Sequence, residues 1–167
     1  RDFERAHNRA HLARAVATIG HDAAIAPCRR WLESADTSLH KAVADGAAAA
    51  ARSGRATRTF RAALFHALAA DITPAGPKPA TKETCTALLT LDHAAALALL
   101  TPTLTAASPI LPILLDVLAQ AGAPLDPNTT LALLHDARCA PGTTAAEAHT
   151  RTTIQRACLK LLAETAP

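Results

Sequence analysis

Very little in this chain suits a β-sheet. Six Ile and three Val stand against 43 Ala and 23 Leu, and only 2% of the residues are aromatic. β-Branched and aromatic side chains are the usual strand material, whereas Ala and Leu are strong helix formers. A β-sandwich or barrel is excluded on this ground, and a mixed α/β sheet is disfavoured. The expected fold class is all-α, a helical bundle. With 167 residues the chain is long enough to bury a core without a metal or disulfide staple.

The breaks between helices come from glycine, proline and capping side chains. A first helix is expected from Asp2 to Ile19, ended by Gly20, with Leu12, Val16 and Ile19 as its buried stripe. Asp22 is placed to cap a second helix that runs to Leu32, and Asp36-Thr37 to open a third. Gly54 interrupts, and a fourth helix is expected to bury Phe60, Leu64, Phe65, Leu68 and Ile72. Thr81, Asp92, Ser108-Pro109 and Asp126-Pro127 read as further helix starts, and Thr144 with Glu147 as a capping box for the last helix. That last helix has Ile154, Cys158, Leu161 and Leu162 as its apolar stripe.

Three prolines and a glycine fall between Thr73 and Pro79, which no helix accommodates. The segment 74–80 therefore reads as a linker between an N-terminal helical subdomain, 1–73, and a C-terminal one, 81–167. Charge changes sign at the same place. Residues 1–78 carry 12 basic and 7 acidic side chains, a net of +5, and residues 79–167 carry 5 and 7, a net of −2. A basic half of this kind suits a polyanion or an acidic partner surface.

From Leu97 to Ala119 only Asp116 is charged. The stretch holds Pro102, Pro109 and Pro112 and lacks flanking basic anchors, so two buried helices broken at Ser108-Pro109 are expected rather than a membrane span. No signal peptide is visible. Cys28, Cys85, Cys139 and Cys158 form no C-x-x-C pair, which argues against a zinc ribbon or a redox motif and fits a reducing, cytoplasmic setting.

Motifs of catalysis are missing. There is no G-x-S-x-G, P-loop or G-x-G-x-x-G, and no paired-carboxylate motif. His7 and His11 stand four apart on a helix, half of a zinc-binding pattern, but the H-E-x-x-H glutamate is absent and Arg14 shares their face. No enzyme activity, metal or cofactor is expected.

The basic residues are more suggestive. Arg52, Arg55, Arg58 and Arg61 recur every three residues around the start of the fourth helix. At 100° per residue Arg52 and Arg55 fall opposite the Phe60/Leu64/Leu68 face, Arg58 at its edge and Arg61 within the apolar arc, where it would snorkel or pair locally. A guanidinium presents a fork that matches phosphate oxygens, so Arg52, Arg55 and Arg58 are candidate phosphate contacts. The alternative is a solvated face. Arg29 and Arg30 close the second helix, where cations also suit the helix dipole. Arg156 and Lys160 lie four apart on the last helix, opposite Ile154 and Cys158. With so few aromatics, base stacking of the OB or RRM kind is not expected, and any nucleic-acid contact would run through phosphates.

Three stretches, in order, resemble the CasB family, the small subunit of type I-E CRISPR Cascade surveillance complexes. Asp22–Leu32, DAAIAPCRRWL, is similar to the family's early helix ending in paired arginines. Ala121–Leu134, AGAPLDPNTTLALL, is similar to its late A-G-[VI]-P-[VL]-D segment, with Pro127 where the family has Trp. Thr153–Leu162, TIQRACLKLL, is similar to its terminal helix with a V-Q-R core, with Ala157, Cys158, Leu161 and Leu162 where the family has Arg and aromatics.

The resemblance implies a non-enzymatic helical subunit that binds other protein subunits of a ribonucleoprotein complex, pairs with a second copy, and holds crRNA and DNA backbones. Arg29, Arg30 and Arg156 match its basic positions. A helical adaptor or ligand-sensing regulatory domain without nucleic-acid binding is the second expectation, with the apolar Leu97–Leu118 region as a possible pocket lining.

Overall fold

A computed structural model of the chain describes residues 2–70, 72, 81–104, 111–121, 125–139 and 145–165. Among these residues every regular element is helical. In order they are α1 (Asp2–Ile19), a 3₁₀ turn (Asp22–Ala24), α2 (Ile25–Leu32), α3 (Thr37–Arg52), α4 (Arg58–Ala69), α5 (Lys82–Leu91) and α6 (His93–Leu100). A second 3₁₀ turn (Thr101–Thr103) precedes α7 (Leu111–Ala121), α8 (Pro127–Cys139) and α9 (Ala145–Thr165). The fold is all-α, and none of the described helices is long and apolar enough to cross a membrane.

Caps place most of these helices. The Asp36 carboxylate accepts the Ser38 N–H at 3.0 Å, Thr57 accepts the Phe60 N–H at 3.1 Å, and Asp92 accepts the Ala95 N–H at 3.1 Å. Thr81 accepts from Thr84 at 3.3 Å and Asp126 from Thr129 at 2.9 Å. Each satisfies an N–H that a helix start leaves without an intrahelical partner. Asp22 does not cap. His21 takes that place, its Nδ1 accepting the Ala23 N–H at 3.3 Å, and the Asp22 carboxylate instead receives the Thr57 hydroxyl. The Thr57 N–H donates to the Gly20 carbonyl at 2.9 Å, so the α1–α2 and α3–α4 junctions are held together. Gly20 sits at φ 70° with Ala56 so close that a Cβ would lie 2.9 Å from its backbone.

Two compact units divide between Leu99 and Leu100. In the first, α3 is central and packs on α1, α2 and α5, while α4 packs on α2 and α5. Leu39, Val43, Phe60, Leu64, Leu68, Cys85 and Leu88 are fully buried there. Helix α5, expected to open the C-terminal subdomain at 81, thus belongs to the first unit. The expected linker, 74–80, lies outside the described residues, as do the Ser108-Pro109 break and the start of the Thr144/Glu147 capping box.

The α1 face differs from expectation. Leu12 and Ile19 are 57% and 59% exposed, and the buried positions are Ala13 and Ala17. The reason lies on α3. A Cβ at Gly46 would lie 2.5 Å from the Arg14 carbonyl oxygen and 2.6 Å from the Ala17 Cβ. The two helices approach too closely for leucine between them, so small residues form the contact and the large ones turn outward.

In the second unit α7 and α8 both pack on α9. Leu111, Leu114, Leu115 and Leu118 of α7 are buried, as are Leu133 and Leu134 of α8 and Ile154, Cys158 and Leu161 of α9. On the polar line of α7, Gln120 donates to Asp116 at 2.9 Å.

Candidate nucleic-acid interface

The period-three arginine run separates into two roles. Arg52 is the last residue of α3, Arg55 lies in the turn, and Arg58 is the first residue of α4; all three are exposed. The turn between them is made by Gly54 at φ 71°, a left-handed conformation that disfavours any side chain. The chain passes from the end of α3 at Arg52 to the start of α4 at Arg58 through this turn, which places three guanidinium-bearing positions around one corner of the first unit.

Arg61 is different. It does not pair locally. Its Nε donates to the Leu91 carbonyl at 2.9 Å, and its Nη2 donates to Leu91 at 2.5 Å and to Thr90 at 3.2 Å. Leu91 ends α5, where carbonyls lack intrahelical donors and the dipole is negative. Arg61 is therefore the side chain that closes α5.

Arg29 and Arg30 are exposed on the last turn of α2, with Trp31 half-buried beside them. None of Arg29, Arg30, Arg52, Arg55 and Arg58 forms an ion pair among the described residues. The one arginine–carboxylate pair described in this unit joins Arg14 to Asp45 at 3.8 Å. Arg156 and Lys160 belong to the second unit, both exposed on α9. The expected arginines of the first unit thus fall at the end of α2 and around the α3–α4 corner, all facing solvent.

Beside that corner is a cleft of about 840 Å³. Helix α4 lines it with Arg58, Arg61, Phe65 and His66, and the α5–α6 junction with Leu91, Asp92 and His93. Phe65 was expected in the core with Phe60. It is half-buried instead, because five residues carry it 140° round the helix from Phe60, away from the Phe60/Leu64/Leu68 face. Arg58, Arg61 and Phe65 stand at i, i+3 and i+7, a stripe that marks one helix face. That spacing was the sequence signal for the cleft. His93 and Asp92 carried none, since they come from a helix some thirty residues on.

No metal-holding group of three or more His, Cys, Asp or Glu occurs among the described residues. His7 and His11 hydrogen-bond to each other, Nε2 to Nε2, at 2.8 Å. The described free thiols, Cys28, Cys85 and Cys158, are all buried. Burial pushes Cys28 up to about 11 and Cys85 up to about 12, the opposite of what a nucleophile needs.

Comparison with protein-family models, with curated proteins and with solved structures finds no match for this chain.

Proposed function

We propose that the chain is a non-enzymatic helical module that binds the phosphate backbone of nucleic acid. Its setting would be the small subunit of an RNA-guided complex of the kind the CasB resemblance implies. The observation that carries this reading is the corner formed by Arg52, Arg55 and Arg58, three exposed arginines around one turn without a carboxylate partner among the described residues. An arginine run kept for stability would be tied up as Arg61 is. Arg29 and Arg30 add charge to the same unit, and Arg156 with Lys160 would act from the second.

Backbone binding of this kind releases counterions, so its affinity falls steeply with salt. Filter binding of single- and double-stranded DNA and of RNA at several salt concentrations tests it. The expected result is a linear fall of log affinity with log salt, and a slope smaller by about 0.7 to 0.9 for each of Arg52→Ala and Arg55→Ala. Binding indifferent to salt, or unchanged slopes in these variants, overturns the reading.

One observation favours the second reading, a helical adaptor for another protein. Leu12 and Ile19 are exposed seven residues apart on one face of α1. If Leu12→Ser with Ile19→Ser abolishes complex assembly while Arg52→Ala with Arg55→Ala leaves it intact, the adaptor reading takes precedence.

A further inference from the structure

We propose that the cleft between α4 and the α5–α6 junction is a site for a nucleoside 5′-monophosphate, either free or as the phosphorylated end of a strand. The choice of a nucleotide rests on the nucleic-acid reading above; the anion site itself rests on the cleft.

The size and lining of the cleft argue for it. Its volume, about 840 Å³, is within the range of small-ligand pockets, which run from about 300 to 1,000 Å³. Its polar lining is dominated by N–H donors: the guanidiniums of Arg58 and Arg61 and the imidazoles of His66 and His93. Asp92 is the single carboxylate in the lining, and it accepts the Ala95 N–H at 3.1 Å. Finally, Arg61 is already immobilised. Its Nε and Nη2 are held by the Leu91 and Thr90 carbonyls, and Nη1 takes part in none of those bonds. A guanidinium fixed in this way loses little freedom on meeting an anion, which is the condition for useful affinity. Phe65, half-buried, and Leu91 supply an apolar wall on which a base can lie, and a base on an aromatic ring contributes without sequence choice.

Phosphate would thus sit against Arg58, Arg61 and the two imidazoles, with the base against Phe65. The cleft shares Arg58 with the corner but not Arg52 and Arg55, which would track a continuous backbone.

The test is an NMR titration of the full chain with AMP, UMP, adenosine and inorganic phosphate, together with anisotropy of 12-nucleotide DNA bearing a 5′-phosphate or a 5′-hydroxyl. AMP and UMP should shift the amides around His66 and Ala94 and bind at least tenfold more tightly than adenosine or inorganic phosphate. Arg58→Ala should lose at least tenfold. Phe65→Leu should bring AMP down to the level of inorganic phosphate. Asp92→Asn keeps the helix cap and removes the one opposing charge, so it should tighten binding two- to fivefold. A preference for the 5′-phosphorylated strand assigns the strand end as the source; mononucleotide binding without that preference assigns the free nucleotide.

Shifts that map elsewhere, equal binding of inorganic phosphate and AMP, or weakening in Asp92→Asn overturn the proposal. Arg52→Ala with Arg55→Ala should leave mononucleotide binding unchanged. Failure of the backbone reading would appear separately, as loss of salt-dependent binding to the 5′-hydroxyl strand with AMP binding retained.

Discussion

Arg61 and Leu91, thirty residues apart in the chain, join α4 to the end of α5. The Leu91 carbonyl accepts from both Nε, at 2.9 Å, and Nη2, at 2.5 Å, of the same guanidinium. A helix end that would otherwise need water or a glycine cap is closed by a side chain from its neighbour. The bond also decides how the arginine run is divided: one member is used for the fold, and three are left to solvent.

Removing that side chain should therefore cost stability where removing its neighbours does not. Hydrogen bonds from charged donors contribute about 1.5 to 3 kcal/mol. Urea denaturation should find Arg61→Ala destabilised by about 2 kcal/mol and Arg52→Ala by less than about 0.5 kcal/mol, the usual scale of a surface change. Equal costs would show that Arg61 is just another surface arginine.

Gly46 sets the distance between α1 and α3. A methyl there would press on the Arg14 carbonyl and on the Ala17 Cβ, neither of which is the end of a flexible chain. Overpacking of this kind costs about 1 to 3 kcal/mol or more, against the small gain Ala normally brings inside a helix. Gly46→Ala should lower the melting temperature by several degrees. Gly54→Ala is the matched control, since its Cβ would meet open space and only the positive φ would be strained, at about 1 to 2 kcal/mol.

Asp36 gives a pH signature. The Ser38 hydroxyl, donating at 2.6 Å, holds its carboxyl below the usual range, with the Ser38 and Leu39 N–H groups acting in the same direction. A depressed folded-state value means the charged form stabilises the fold. That contribution is present above the ordinary Asp value of about 3.9 and is lost as pH falls through the lowered one. Asn also caps helices, so Asp36→Asn isolates the charge. Denaturation midpoints of the two proteins should differ at pH 6 and draw together as pH is lowered below the ordinary Asp value of about 3.9; a gap that ignores pH would refute the assignment.

The buried thiols should be poor nucleophiles in the folded chain. At pH 8 a Cys28 thiol near 11 is ionised to about one part in a thousand, and Cys85 to less, against roughly a quarter for an exposed thiol at 8.5. Alkylation followed by peptide mass spectrometry should label both at least about a hundredfold more slowly than in urea. Fast labelling of Cys85 in the native protein would mean that α5 opens readily.

Helix positions were readable from local chemistry. Asp36, Thr81, Asp92 and Asp126 announce helix starts because their side chains reach an N–H only two or three residues away. Gly20 and Gly54 announce the stops because the chain there takes a positive φ. Facing was harder to read. Leu12 and Ile19 form a regular stripe, yet they point outward, since their burial depends on what α3 offers opposite them. Phe65 is apolar like Phe60, yet it lies 140° round α4 from it and stays half-buried. Asp22 sits where a cap belongs, but Thr57, 35 residues on, claims its carboxylate.

Alanine and leucine abundance with few β-branched residues committed this chain to helices, and single prolines, glycines and caps cut those helices to length. Such effects act within one turn, so they operate wherever the segment finally lies. Which face of α1 is buried, which arginine closes α5, and whether a cleft opens beside Phe65 were settled only when the helices met. Those outcomes depend on distances between groups some thirty residues apart, and the glycine at 46 and the carbonyl at 91 have no partner until packing supplies one.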